Sequence, residues 1–584
     1  MALDNLAVAR VLGEIGDLLE LKGENPFKIR AYRNGADVVA HQPEQAASRD
    51  EAQLRAWPGI GKDLAARIRE IAATGTCAIH QELLAQFPAT LLELLRLQGA
   101  GAKTVALLYS ELRIASIDDL EAAARAGRLR SLKGMGAKKE QLLLRALEER
   151  KQHVNRHLIG HADEVARAVV RYLEERAPGV MFEVVGSLRR GAETCGDIDI
   201  LATPSQAGQD AATLGVMEAF TQFPLVERVL GDGATKSSVL LRGGFQVDLR
   251  LIAPESRGAA LQYFTGSKAH NIALRDRALE RGLRLSEYGL FRAADEVRLA
   301  GDTEESIYEA LGMAWIPPEL RENRGELAAA LDRQLPDLLT AADLRGDLHM
   351  HTTETDGKDD LETMVLAARD AGLEYIAITD HSQSLAMANG LDETRARAHA
   401  ARIRALDARI EGIHVLAGIE CDILADGRMD LADDCLAELD IVIGSVHSAM
   451  RQEEDEMTAR LIRAIENPWV DVIGHPTSRM LLKREPARVN IERVARAAAA
   501  HGVALEINSQ MHRLDLSDAN ARLARAHGAR LIVSTDAHSR SALALRQWGV
   551  LTARRAWLTK SDVINTLPYD DFRRALRRHR SRAA

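Results

Sequence analysis

The segment GSLRRGAETCGDIDIL, residues 186–201, sets two aspartates among apolar residues. Ile198, Ile200 and Leu201 have the character of a buried strand, and side chains alternate along a strand, so Asp197 and Asp199 share one face. In FQVDLRLI, residues 245–252, Asp248 is out of phase with Val247 and Leu249 and faces outward as well. Three carboxylates on two strands repel one another unless cations lie between them, and Mg²⁺ suits oxygen ligands and substrate phosphates. Two such ions about 3.5–4 Å apart activate an attacking oxygen and stabilise a leaving one. Just upstream, Gly186 and Ser187 provide a tight turn and a hydroxyl, while Arg189 and Arg190 provide guanidinium groups suited to a triphosphate.

A second set of ligand-type residues fills the C-terminal half. His349 and His351 alternate in DLHMH, and Asp356 follows. Later apolar runs end in Asp380-His381, Glu420, His447, His475 and Asp536-x-His538. The C-terminal ends of barrel strands are where such enzymes assemble their sites. One histidine at a strand end is usually structural, but six histidines and three acids at equivalent places indicate metal ligation. Imidazole combined with carboxylate suits Zn²⁺, Mn²⁺ or Fe²⁺ better than Mg²⁺ alone.

The elements needed to position these groups can be read along the chain. In the first third, WPGIGKDLAARIREI, LQGAGAKTVALLY and LKGMGAKKEQLLLRAL each place a Gly-x-Gly turn before an amphipathic helix. Gly59, Gly61, Gly99, Gly101, Gly134 and Gly136 let a phosphate approach the backbone closely, with helix-start amides facing the anion. Three such units favour non-specific binding of a nucleic-acid backbone. Residues 156–300 are mixed α/β, and WIPPELRENRGELAAALDRQLPDLLT reads as a helical exit and linker. From Leu344, seven short apolar runs alternate with helical stretches, which predicts parallel strands and crossover helices closed into a barrel. The expected divisions are a helical end-binding domain over 1–85, a duplex-binding subdomain over 86–155, a catalytic α/β domain over 156–255, a further subdomain and linker over 256–335, and the barrel over 336–584.

A chain of 584 residues is too long for one core, and 46% hydrophobic with 28% charged residues is the composition of a water-soluble globular protein. No apolar run is long enough for a bilayer, and the acidic, amphipathic opening has neither a signal nor a transit pattern. Cys77, Cys195, Cys421 and Cys435 form no close pair and no zinc spacing, which suits a reducing cytoplasm. The net charge of −9 argues only weakly against a nucleic-acid partner, because local potential decides binding. Arg125–Arg156 is rich in basic residues, and the basic tail FRRALRRHRSRAA reads as a solvated end.

The Gly186–Leu201 string resembles the nucleotidyltransferase motif of family X DNA polymerases, the polymerase beta group. LQYFTGSKAHNIALR, residues 261–275, resembles that group's nucleotide-selecting segment, and helix-hairpin-helix units precede the palm there as here. The resemblance implies that Asp197, Asp199 and Asp248 hold Mg²⁺ or Mn²⁺, and that Gly186, Ser187, Arg190 and Gly196 contact the triphosphate. It places Tyr263, Phe264 and Gly266 along the sugar and Asn271 and Arg275 at the nascent base pair. The histidine-rich half is similar to the PHP (polymerase and histidinol phosphatase) domain, a distorted (β/α)7 barrel with up to three Zn²⁺, Mn²⁺ or Fe²⁺ ions. By that resemblance the ligands are His349, His351, Asp356, His381, Glu420, His447, His475, Asp536 and His538.

Bacterial family X polymerases share this whole architecture, which covers nearly the full chain. It implies a monomer acting on gapped or nicked DNA and deoxynucleoside triphosphates in base excision repair. The implied activities are Mn²⁺-stimulated synthesis, 3′–5′ exonuclease action and, in some members, abasic-site cleavage or removal of 3′-phosphates. One departure concerns the N-terminal domain, whose lyase-competent relatives use a lysine to form a Schiff base. Arg67 occupies that position, and an arginine does not lose its proton to attack a carbonyl, although Lys62 or Lys28 could substitute. Other readings stay open at this point: a barrel that only scaffolds a polymerase, a DNA-end-binding module with relic sites, or a small-molecule nucleotidyltransferase.

Overall fold

The computed structural model describes residues 5–576 apart from 41–45, 58, 89, 96, 98–99, 133, 154–155 and 206–214. Gly99, expected at a DNA-facing turn, and the basic residues 577–584 lie outside the described residues. The chain forms two compact units, Met1–Val154 and Asn155–Ala584.

The first unit is helical. Val8, Leu12, Ile15 and Leu19 recur at helical spacing in Asn5–Lys22 and are buried, forming one wall of its core. Each predicted glycine turn leads into a helix: Lys62–Thr74, Ala102–Leu112 and Ala137–His153. Gly61 and Gly101 are the N-caps of the first two. Gly59 and Gly134 have φ of +76° and +83°, the left-handed region that favours glycine.

The second unit begins with a five-stranded mixed sheet. Its order is Val180–Val184, Asp197–Pro204, Gln246–Leu251, Lys236–Leu241, Val226–Asp232. The alternation read from DIDILA holds, since Ile198, Ile200 and Ala202 are buried in a core shared with Ala162, Ala166, Val169 and Leu173 of the helix Ile159–Arg176. The helices Arg257–Thr265 and Lys268–Glu280 follow, then a three-stranded antiparallel sheet and the helix Glu304–Ala310.

Seven parallel strands come next, paired in chain order: Gly346–Asp347, Tyr375–Ile378, His414–Asp422, Ile441–Ser445, Val472–Ile473, Ala504–Asn508 and Arg530–Ser534. Each overlaps one of the predicted apolar runs. Tyr375 and Ala377 join one buried cluster while Ile376 and Ile378 join another, as expected of strands covered on both faces. The first strand is shorter than predicted. It ends at Asp347, and His349 and His351 flank a single bridge between Met350 and Ala537. That bridge nearly closes the barrel. Thr535 completes the contact by donating from its N–H and Oγ1 to Asp347, at 3.1 and 2.6 Å.

Below it, buried Asn565 laces the seam. Its Nδ2 donates to the carbonyls of Gly346 and Val533 at 2.7 and 2.8 Å, and its Oδ1 accepts from the Val533 N–H at 3.1 Å. The barrel also packs on the mixed sheet, because Leu514 and Trp548 complete that sheet's core and Arg479 pairs with Glu193 at 2.7 Å. Asn565→Ala strips three buried main-chain groups of this partner. The expected cost is about 2–4 kcal/mol, or roughly 5–10 °C in the midpoint of the second unit by scanning calorimetry. An unchanged midpoint would show that the seam is held by other contacts.

Candidate functional site

The mixed sheet brings the three predicted aspartates into one row. Asp197–Pro204 and Gln246–Leu251 pair in parallel with Asp199 opposite Asp248, and Asp197 lies two residues back at the strand's exposed start. Burial, reinforced by the charges of Asp197 and Asp248, pushes the Asp199 carboxyl up to about 6. Burial opposes ionisation of Asp248 too, but hydrogen bonds from Gln246 and Lys236 outweigh it and hold that carboxyl below its usual range. Lys236 Nζ stands 3.0 Å from Asp248 Oδ2 and supplies the positive charge the row demands. Nothing in GDGATKSS marks that lysine, since only the pairing of its strand with Gln246–Leu251 brings it to Asp248.

The predicted phosphate turn lies against this row. Gly186 has φ +68°, and a Cβ there would come 2.6 Å from Asp199 Oδ2, so a side chain is excluded on both counts. Ser187 sits in the single turn Gly186–Arg189, and Gly196 immediately precedes the aspartate strand. Arg190 Nη1 donates to the Thr265 carbonyl at 2.5 Å, and its Nε to Glu322 at 3.1 Å. Arg189, expected to serve a triphosphate, is committed elsewhere. It forms a two-pronged pair with buried Glu304 at 2.9 and 2.7 Å and also reaches Thr265 Oγ1. Burial opposes ionisation of Glu304, but Arg321 and Arg189 bring its carboxyl down to about 2.

The predicted nucleotide-selecting residues follow directly. The Tyr263 and Phe264 rings meet edge-on with centroids 5.1 Å apart, and the Arg250 guanidinium lies 4.6 Å over Phe264. Gly266 ends their helix beside Arg190. Asn271 Nδ2 donates to the Tyr263 carbonyl at 2.7 Å, and exposed Arg275 lies one turn on.

The barrel gathers all nine of its expected ligands at one end. Glu420 is central: its Oε2 lies 2.8 Å from His381 Nδ1, 3.4 Å from His349 Nε2 and 3.6 Å from His351 Nε2. Its Oε1 lies 2.9 Å from His475 Nε2 and 3.4 Å from His447 Nε2. Asp536 Oδ1 is 3.1 Å from His351 Nε2 and 3.5 Å from His538 Nδ1. Asp356 Oδ2 is 3.4 Å from His538 Nε2 and 3.5 Å from His381 Nε2. Three groupings could each hold an ion: His351, Asp356, His381 and His538; His349, His351 and Asp536; His381, Glu420 and His447.

The donors fit metal. His349 Nε2, both ring nitrogens of His351 and His381 Nδ1 are buried without a hydrogen-bond partner although carboxylate oxygens stand close by. Protons on the imidazoles balance part of the carboxylate charge. Burial disfavours charge on His381 and His447, but Glu420 outweighs it and raises them to about 10 and 9. His349 is raised well above its ordinary value by Glu506 and Glu420 against the same opposition. Burial keeps His351 and His475 neutral, down at about 4 and 3.

Two supporting acids escaped the sequence reading. Glu506 Oε1 holds His349 Nδ1 at 2.7 Å, and Asp422 Oδ1 holds His447 Nδ1 at 2.7 Å, which orients each ring toward the cluster. Both carried a signal, because Glu506 is a carboxylate inside an apolar strand and Asp422 shares the face of Glu420 two residues earlier. Arg513 is also present, with Nε 3.9 Å from Asp536 Oδ2.

Family models for the DNA polymerase beta palm and thumb match residues 160–234 and 260–322. Models for a helix-hairpin-helix domain and a SAM-like helix-hairpin-helix tandem match 3–77 and 91–149, and the PHP domain model matches 347–510. A DNA polymerase/3′-5′ exonuclease PolX from Bacillus subtilis is 36% identical over 98% of this chain and 99% of its own length. Probable phosphatases are similar to about a third of the chain. One from a Thermoanaerobacter species is 30% identical over 38% of this chain and 89% of its own length. One from a Shewanella species is 33% identical over 33% of this chain and 75% of its own length.

The charge states give two expectations for Mn²⁺ titrations followed by calorimetry. Cation binding at the aspartate row must displace the Asp199 proton, so affinity is lost as pH falls through about 6. Between pH 7 and pH 5 the loss is expected to be roughly tenfold, measured in a protein whose barrel cluster is emptied by His349→Ala, His381→Ala and Asp536→Ala. A flat profile would contradict the raised carboxyl. In the intact barrel, loading at pH 7.5 releases the protons held by His381, His447 and His349. The apparent enthalpy should therefore vary with the buffer's ionisation enthalpy, and a buffer-independent enthalpy would count against a protonated cluster.

Proposed function

The chain belongs to the bacterial family X DNA polymerases that carry a PHP domain, and we propose that it fills short gaps in DNA with the palm aspartates and trims 3′ ends with the barrel cluster. As a member of that family it is a DNA polymerase and 3′–5′ exonuclease that depends on divalent metal and takes DNA and deoxynucleoside triphosphates as substrates. The observation that carries the proposal is the co-existence of two complete acidic centres in one compact unit. One has Asp199 opposite Asp248 beside the Gly186 turn, and the other gathers nine ligands, eight of them around Glu420.

In the palm, Asp197, Asp199 and Asp248 hold Mg²⁺ or Mn²⁺, while the barrel's nine ligands hold up to three Zn²⁺, Mn²⁺ or Fe²⁺ ions. When bound, these cations supply Lewis acidity at phosphorus. Ser187, Gly196 and Arg190 bind the triphosphate. The edge-on Tyr263–Phe264 pair walls off the sugar, where an added ribose hydroxyl would collide, and Asn271 and Arg275 meet the new base pair. The primer 3′-hydroxyl attacks the α-phosphate, and pyrophosphate leaves. At the barrel, water attacks the terminal phosphodiester of a 3′ end, the bond to the 3′ oxygen of the preceding nucleotide breaks, and that oxygen takes up a proton as a nucleoside 5′-monophosphate leaves. The same chemistry extends to cleavage at abasic sites.

The helix-hairpin-helix turns serve DNA backbone binding. A Cβ at Gly59, Gly61, Gly101, Gly134 or Gly136 would meet no protein atom within 4 Å, so the space these glycines keep clear lies outside the fold. Arg67 lies beside Tyr32 and Cys77, whose groups burial pushes up and Arg67 partly restores. It serves binding of a DNA end rather than Schiff-base chemistry. The protein acts as a cytoplasmic monomer. Its four cysteines are buried and free, and among the described residues no helix is long and apolar enough to cross a membrane.

A labelled gapped duplex with Mn²⁺, with and without deoxynucleotides, tests both activities on one gel. Asp248→Asn should lower incorporation about 100- to 1,000-fold and leave 3′ shortening intact, whereas His349→Ala should do the reverse. Undiminished shortening in His349→Ala would make the barrel a scaffold, and undiminished incorporation in Asp248→Asn would remove the palm assignment. Borohydride trapping on a 5′-deoxyribose phosphate end is expected to yield no adduct, and an adduct lost on Lys62→Ala or Lys28→Ala would move lyase chemistry to that lysine.

A further inference from the structure

The helix Arg546–Arg555 belongs to the barrel, yet its last turn ends on the polymerase half of the molecule. Arg554 Nε pairs with Glu319 at 2.8 Å. Arg555 is nearly buried and makes three polar contacts. Its Nη2 lies 3.0 Å from Asp518 Oδ2 of the barrel, and its Nη1 donates to the main-chain carbonyl of Arg190 and to Glu322 Oε1, both at 2.9 Å. The same Glu322 oxygen accepts from Arg190 Nε at 3.1 Å. A single carboxylate thus bridges the barrel's Arg555 and the palm's Arg190, and Arg555 also grips the Arg190 backbone.

The two surfaces meet here in ordinary van der Waals contact. Gly191 has φ +68°, and a Cβ there would touch Leu551 and Arg555 of the barrel helix at 3.4 and 3.7 Å. Arg190 is tied on its other side to the Thr265 carbonyl, at the end of the helix that carries Tyr263 and Phe264. Burial opposes ionisation of Glu322, but Arg555 and Arg190 outweigh it and keep the carboxylate charged. An isolated Arg190–Glu322 pair would direct the guanidinium by one contact. With Arg555 sharing Glu322 and fixing the Arg190 main chain, Arg190 is placed from two directions and keeps charge to offer a phosphate.

We propose that Arg555, through Glu322 and the Arg190 carbonyl, is a positioning residue for nucleotide incorporation, so that the PHP barrel completes the polymerase's triphosphate site. This rests on the reading of Arg190 as a triphosphate contact. It makes the two halves unequal: the polymerase depends on the barrel's helix, while the barrel's own cluster has no need of Arg190.

The test is steady-state single-nucleotide incorporation on a gapped duplex by the full chain, alongside 3′ shortening by the same preparations. Arg555→Met, which keeps the aliphatic stem, is expected to raise the KM for the deoxynucleotide roughly tenfold, with kcat within about twofold and 3′ shortening unchanged. Arg555→Lys should recover only part of this, because one ammonium cannot reproduce the forked contacts. Adding Arg555→Met to Arg190→Ala should cost nothing further, since the two act in series. An unchanged KM in Arg555→Met, additive losses in the double variant, or equal losses in both activities would overturn the proposal, the last by making Arg555 simple structural support. If Arg190→Ala itself leaves the KM unaltered, the underlying assignment of Arg190 fails instead.

Discussion

Repulsion among carboxylates withheld from water governs this molecule. At a few ångströms, two like charges in a protein interior cost far more than in bulk water, and a fold tolerates them only where positive charge is supplied. The palm row shows the pressure directly, with Asp199 raised to about 6 while Lys236 keeps Asp248 ionised. The barrel shows the same pressure resolved by protons on imidazole, with Glu420 ringed by histidines. In both centres divalent cations are the natural partners for these carboxylates.

The scaffold follows from that requirement. Parallel pairing in exact register sets Asp199 against Asp248, and the absence of a side chain at Gly186 lets a turn close over them. Parallel barrel strands end at one rim, so ligands carried on or just after several strands converge on a common point, and Glu506 and Asp422 keep the rings aimed there. Away from the rim an apolar cluster fills the barrel interior, and Asn565 and the Thr535–Asp347 contact lace its seam. Such a core resists rearrangement when the cluster gains or loses ions.

Much of this is legible in the sequence, for a definable reason. Asp197 and Asp199 are two apart on one strand, and the nine barrel ligands lie in or just after six of the seven apolar runs, so local alternation and punctuation reveal them. What the sequence conceals comes from distant segments. Arg189 looks like a phosphate ligand until Glu304, 115 residues on, takes both of its prongs. Lys236, Asn565 and the bridge from Arg555 to Glu322 are likewise products of tertiary packing, invisible to any periodicity. The short first strand was over-read because DLHMH alternates like a longer one, whereas its ladder stops at Asp347 and resumes only as a single bridge.

Anomalous diffraction from crystals of the full chain soaked in Mn²⁺ bears most directly on the premise that cations, not protein charges, complete both centres. Peaks are expected between Asp199 and Asp248 and among the ligands around Glu420, within about 2.0–2.3 Å of their oxygens and nitrogens. Soaked crystals with no peak at either place, and with Lys236 still on Asp248 and protonated histidines still on Glu420, would contradict it.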